Sequence, residues 1–340
     1  MPARFNRRYS TGLLLTVFMG LAVGCASLHP NLKESVSIMG AEPAIELSST
    51  PFFPQKTLQC GPAALATVLG ASGVSVTPDE LTSKVYLPGR DGSLQLELIA
   101  ATRRYGRLPY PIDGGLTDII AQLLEQRPVL VMQNLGLESY PAWHYAVVIG
   151  FDANNEQLVL RSGERERHFM STRAFMRSWS LADNWALVML APGELPPDTV
   201  ESRYVNAVSA LENVAVAQDV QSFYEAGLER WPSNQLAHFG LANSQFFAGD
   251  LDAAETTYQK LLAMNPDFVA ARNNLAFVLA QRGCQRLALH HLGLGFESVS
   301  EDDPLYVQLQ ETQRDILNRA DTVSPQEESG HCTEAALTDE

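Results

Sequence analysis

The chain has 340 residues, a formal net charge of −15 at pH 7, 46% hydrophobic residues and 19% charged residues. Such a composition belongs to a folded chain and excludes a disordered one, and the length allows about two domains. The acid excess argues against partners held by charge alone, namely nucleic acid and anionic lipid.

The first segment reads as an export signal. Arg4, Arg7 and Arg8 precede an apolar run over 13–21 that is too short to span a bilayer, and Ala22-Val23-Gly24-Cys25 follows. A small residue directly before a cysteine resembles the lipoprotein signal of bacteria. That resemblance implies cleavage before Cys25, a lipid anchor on Cys25, and, because Ala26 rather than Asp follows, the periplasmic face of the outer membrane. The alternative is an ordinary secretory signal with an incidental cysteine. Residues 1–24 are therefore read as a signal peptide. Residues 25–50, with Pro30, Pro43, Ser48-Ser49-Thr50 and little apolar periodicity, are read as a tether.

Residues 51–192 read as one domain. Pro51 and Pro54 lead into Cys60, and Gly61-Pro62 opens a helix, since Pro is favoured where its missing N–H would be unpaired anyway. Ala63, Ala64, Leu65, Ala66, Val68 and Leu69 make that helix apolar nearly all round, the pattern of a buried helix. A thiol at its N-terminus faces the positive end of the helix dipole and free N–H groups, both of which favour the nucleophilic thiolate. The plain alternative is a buried structural cysteine.

Further along, Thr77 and Glu80 form a capping box that opens a short helix toward residue 86, and 87–92 reads as a loop. Helices are expected over 95–105 and over 116–126, the second ending before Pro128. A core strand over 129–133 leads through a loop, 134–143, to His144. His144 opens an apolar strand over 145–151, Asp152 to Glu156 makes a hairpin turn, and 157–162 returns. A third strand over 164–170 carries His168, read as solvated or sheet-packing. Ser171-Thr172 caps a helix to 179, and 185–190 is a last strand. Helices first and an antiparallel sheet after is an α+β order.

Gln55, Cys60-Gly61-Pro62-Ala63-Ala64-Leu65 and the run from His144 to Gly150 together resemble the papain-like cysteine peptidases. Among these the motifs are most similar to the double-glycine, bacteriocin-leader-processing peptidases and their peptidase-like relatives. The resemblance covers about 50–192. It implies an α+β papain-like cysteine peptidase domain with Cys60 as nucleophile, His144 as base and Gln55 as oxyanion donor. Two departures stand out. Gln55 lies five residues before Cys60 where six is usual, with Gln59 as a rival, and Ser162 occupies the place of the family's Asp. The group that orients the imidazole is then Ser162, Asp152 just past the His144 strand, or another partner.

After a linker over 193–200 the period changes. A shift of 34 residues superposes Tyr224 on Tyr258, Pro232 on Pro266, Leu241 on Leu275, Ala242 on Ala276, Gly249 on Gly283 and Ala254 on Ala288. The pattern resembles the tetratricopeptide repeat, which implies an all-α solenoid of three units over 201–302 and a groove for a peptide or partner protein. The rival reading is that the repeats only brace the catalytic domain. Residues 303–340 read as an acidic tail holding one helix over 304–318. Cys284 and Cys332 are left as a possible pair in an oxidising compartment, with Cys284 equally suited to a helix core. No Gly-rich phosphate loop, His-x-x-x-His or Cys-x-x-Cys occurs, so no cofactor and no metal are expected.

The expected function is peptide-bond hydrolysis by a membrane-anchored cysteine peptidase. The alternatives are a catalytically inactive peptide-binding lipoprotein, or an amidase or acyltransferase using the same Cys–His pair.

Overall fold

A computed structural model describes residues 31–55, 59–90, 92–197, 199–320 and 332. The export signal, Cys25 and all of the tail beyond 320 except Cys332 lie outside these residues.

The described chain opens with helix α1 (Leu32–Ile38) and strand β1 (Ala44–Glu46), where the sequence predicts a tether. That expectation is corrected for 31–50. Asn31 caps α1, and the Glu156 carboxylate accepts from the Leu32 and Lys33 N–H groups at 3.2 and 3.1 Å. Leu32, Val36 and Leu47 enter the main core. Strand β1 lies against residues 150–152 of a later strand, and this approach needs Gly150. A Cβ at residue 150 would stand 2.2 Å from the Ile45 carbonyl oxygen. Elements of seven and three residues are too short to show a hydrophobic period, and packing against the rest of the domain is what stabilises them.

Helix α2 (Cys60–Ala71) is buried without interruption from Gly61 to Leu69, as its all-round apolar sequence requires. Helix α3 (Pro78–Val85) starts at the Thr77–Glu80 capping box. Strands β2 (Tyr86–Leu87) and β3 (Gly92–Ser93) form a small ladder where only a loop is expected. Helix α4 (Gln95–Arg104) leads to β4 (Leu108–Pro111), a strand the sequence reading misses. Pro109 and Pro111 cannot donate to a ladder, but β4 is an edge strand bonded to one neighbour, where Pro is tolerated.

Helix α5 (Leu116–Leu124) precedes β5 (Val129–Asn134), β6 (Trp143–Asp152), β7 (Gln157–Ser162) and β8 (Arg165–Ser171). Helix α6 (Thr172–Ser180) and β9 (Ala186–Leu190) complete the domain. The sheet runs β4-β9-β5-β6-β7-β8 with β1 beside β6, antiparallel throughout. Helix α2 packs across β6 and β5, which brings its N-terminus to the His144 end of the sheet. The domain is α+β, as the order of its elements predicts.

Among the described residues seven helices follow: α7 (Glu201–Ser209), α8 (Ala217–Arg230), α9 (Gln235–Phe247), α10 (Leu251–Met264), α11 (Val269–Gln281), α12 (Gln285–Glu297) and α13 (Pro304–Ala320). One set starts at 201, 235 and 269 and the alternate set at 217, 251 and 285, so the 34-residue period of the sequence is also the period of the helices. The first pair shares a core with the α+β domain, through Tyr204, Phe223 and Tyr224. Tyr204 donates to the Glu194 and Phe223 carbonyls, and Arg203 pairs with Asp113 across the junction.

A second core runs from Ala242 to Ile316. It includes Leu309 and Ile316 of α13, so 303–320 belongs to the packed helices rather than to a free tail. Cys284, at the head of α12, is disulfide-bonded to Cys332 with 5.3 Å between Cα atoms.

Candidate active site

Cys60 is the first residue of α2, half-buried and free of any disulfide. The helix start lies hard against β3, because a Cβ on Gly61 would come within 2.4 Å of the Ser93 hydroxyl oxygen. Gln59, the rival oxyanion donor, stands at the cap position and makes no side-chain capping bond.

His144 sits at the head of β6, and Ser162 ends β7. Val147 is opposite Arg161, so strand alternation puts His144 and Ser162 on one face as diagonal neighbours. His144 Nε2 lies 2.9 Å from Ser162 Oγ. That contact engages one ring nitrogen and leaves Nδ1 as the atom to exchange a proton with a neighbour. Asp152 takes no part, which corrects its candidacy. It lies eight residues along β6 from His144, about 26 Å at the rise of a strand. Its carboxylate accepts from the Asn154 and Asn155 N–H groups and the Asn155 amide, and these bonds hold it below the usual carboxylate range, Asn155 first.

Gln55 joins the same wall. Its backbone N–H donates to Gly163 at 3.0 Å and its amide donates to the Tyr145 carbonyl at 3.2 Å. Gln55, Cys60 and His144 thus open on one cavity of about 850 Å³. Among the described residues no hydrogen bond joins Cys60 to His144.

Burial is the first cause that lowers the pKa of His144, and the charge of His168 is the second. His168, on β8 opposite Leu160, is itself held low by burial and then by Arg165, whose guanidinium lies 3.2 Å from its Nδ1. A protonated His144 is therefore disfavoured by burial and by the basic group behind it. Tyr145 is pushed well above its ordinary range by burial and then by Cys60, and its hydroxyl donates to the Ser93 carbonyl at 3.3 Å. Tyr145, Trp143 and Arg90 also line the cavity and were missed in the sequence. Only Trp143 and Tyr145 carried a signal, as the neighbours of His144. Among the described residues no group of three or more His, Cys, Asp or Glu side chains is placed to hold a metal ion.

Residues 48–184 match the model of the Peptidase_C39 like family. That span contains Gln55, Cys60, His144, Ser162 and the walls of the cavity. Among solved structures, the chain is similar to a putative C39-like peptidase from Bacillus anthracis, with 15% identity and a TM-score of 0.37 over 44% of this chain and 98% of that one. It is also similar to the peptidase domain of Streptococcus ComA, a bi-functional ABC transporter involved in a quorum sensing pathway. There the identity is 22% and the TM-score 0.35, over 42% of this chain and 98% of that one. A curated relative is protein arginine N-methyltransferase 9 of Homo sapiens, 27% identical over 128 residues, which are 36% of this chain and 14% of that protein. The match spans about one seventh of the methyltransferase.

Proposed function

We propose that this protein is a cysteine peptidase that hydrolyses peptide bonds with Cys60 as nucleophile and His144 as general base. The observation that carries this reading is the shared cavity: a free thiol at a helix start and a histidine oriented by a hydrogen bond open on it together. In the first step the Cys60 sulfur attacks the scissile carbonyl and forms the C–S bond. His144, neutral because of its burial, takes the thiol proton and passes it to the departing amine, giving an acyl-enzyme. Water, deprotonated by His144, then adds to the acyl carbon, and the C–S bond breaks to release the acid and restore the thiol. The Cys60 N–H and the second N–H of the Gln55 amide donate to the oxyanion in both steps. Ser162 acts through His144 by fixing the ring. A hydroxyl does this without the charge of a carboxylate, which makes the orientation weaker but not absent.

The amino-terminal pattern supports export and a lipid on Cys25, with the enzyme on the periplasmic face of the outer membrane. The 34-residue helix period supports tetratricopeptide-type repeats whose groove takes substrate or a partner protein.

A second reading is favoured by the missing Cys60–His144 hydrogen bond and by the neutral Ser162. In it the domain holds peptides without cutting them. The two readings separate in one experiment. Purified protein starting at residue 26 is assayed on a broad peptide library beside Cys60→Ala. Turnover by the first and none by the second supports hydrolysis. No turnover, with equal peptide binding by both, supports the binding reading.

A further inference from the structure

Among the described residues two charged side chains line the cavity, Arg90 and Glu164, and they come from different elements, the β2–β3 ladder and the β7–β8 turn. Arg90 ends the turn between β2 and β3, a wall held by the Tyr86–Ser93 and Leu87–Gly92 pairs and by the close seat of Gly61 on Ser93. Glu164 lies in the turn between β7 and β8, directly after Gly163, which the Gln55 backbone fastens to the Cys60 lead-in. The backbone on each side is therefore pinned, while both side chains are exposed and neither makes an ion pair or hydrogen bond among the described residues. The other described lining residues are apolar or neutral, apart from Cys60 and His144 themselves, with Met132, Trp143, Leu94 and Tyr145 prominent. A peptide lying over Cys60 in this cavity therefore meets one cation and one anion that have no partner among the described residues.

We infer that Arg90 and Glu164 select the substrate by charge. The cleft takes a peptide with an acidic side chain toward the Arg90 wall and a basic side chain toward the Glu164 wall, both close to the carbonyl that faces Cys60. This rests on the reading of the cavity as a peptide site and deepens it. Each wall also rejects the wrong sign, so the selectivity comes from repulsion as much as attraction. The chain as a whole carries −15 and repels acidic peptides, so among the described lining residues it is Arg90 that favours them.

The test uses full-length protein from residue 26 carrying Cys60→Ala, so that binding is read without cleavage. Fluorescein-labelled peptides of one apolar sequence, carrying one Glu and one Lys, two Glu, two Lys or no charge, are titrated by anisotropy at low salt. The expected order places the Glu/Lys peptide first. Arg90→Gln should weaken peptides carrying Glu about 3–5-fold and spare the two-Lys peptide, and Glu164→Gln should do the reverse, as fits exposed pairs. The differences should shrink at about 1 M salt, where screening acts over about 3 Å. The paired exchange Arg90→Glu with Glu164→Arg should restore preference for the mixed-charge peptide read in the opposite order. Binding without charge dependence, or an equal loss for all peptides in each variant, overturns the inference and leaves the peptide site standing. No binding of any peptide overturns both. Charge-dependent binding by a protein whose wild type cuts nothing upholds the inference and removes the hydrolase reading.

Discussion

His144 in the sheet and His291 in the helical pairs are both largely buried, and burial is the first cause that depresses each. The lowering is larger for His291, to about 4, where Arg272 and His290 add their charges. The rings differ in company. His291 has a buried Nδ1 with no hydrogen-bond partner among the described residues. His144 is held by Ser162 and opens on the cavity of Cys60. The concavities differ in the same way. The cleft over Cys60 combines thiol, imidazole and amide, whereas the 460 Å³ hollow between α8 and α10 is lined by Glu225, Glu229, His238 and Lys260 with no thiol among its described lining. A depressed histidine therefore does not by itself mark a site; its second nitrogen and the groups it faces do.

The comparison can be broken most directly at the thiol. Cys60→Ala should lower peptide turnover at least ~10³-fold, while His291→Gln leaves it unchanged. Equal rates in Cys60→Ala and wild type would end the distinction between the two halves.

The next largest effect belongs to the helical half. His291 titrates at about 4 when folded against 6.5 for the free residue, so the unfolded chain binds its proton first as pH falls. The stability this residue contributes is present above pH 6.5 and lost as pH drops toward 4, up to about 3 kcal/mol. Urea titrations at pH 7 and pH 4 should show a smaller pH-dependent loss in His291→Gln than in wild type. An identical loss in both would mean that the buried ring is not what titrates.

A third effect sharpens the roles within the sheet. His144→Ala should slow alkylation of Cys60 by iodoacetamide at pH 7 about tenfold if the imidazole takes the thiol proton. His291→Gln serves as the control and should react as wild type does. An unchanged rate in His144→Ala would favour the binding reading.

The smallest effect is at the orienting residue. Ser162→Asp should raise the pKa of His144 and increase kcat several-fold, because a carboxylate at that 2.9 Å contact stabilises the imidazolium. The acid limb of the pH–rate profile should move upward with it. Asp152→Asn, far along β6, should leave the profile where it is. A shift on changing Asp152, with none on changing Ser162, would reverse the assignment drawn from the geometry.

Much of this molecule is legible one segment at a time. The helix that begins at Cys60 declares itself by being apolar all round, and the 34-residue spacing of the helical pairs follows from matched Leu, Ala, Gly, Tyr and Pro positions. Cys60 and His144 stand out because each sits at the mouth of an apolar element, where a polar side chain is otherwise out of place. The short pieces are not legible. Strand β4 contains two prolines, and α1 with β1 presents three core residues, Leu32, Val36 and Leu47 among them a β1-flanking one. Their places depend on what lies opposite.

The chain's own order of residues determined which segments coil, which extend and where a lone thiol and imidazole are presented, because those properties are set by neighbours within one or two turns. Only the tertiary structure decided between Ser162 and Asp152. Asp152 is nearer to His144 in sequence and carries the charge that chemistry prefers, yet it belongs to the turn at the far end of the strand. Ser162 is 18 residues away along the chain, and the antiparallel return of β7 brings it to 2.9 Å. The same pairing across strands seats β1 on Gly150, and the fold brings Arg90 and Glu164 to one cavity. A contact between strands depends on register, and register is a property of the whole sheet rather than of any one stretch of sequence.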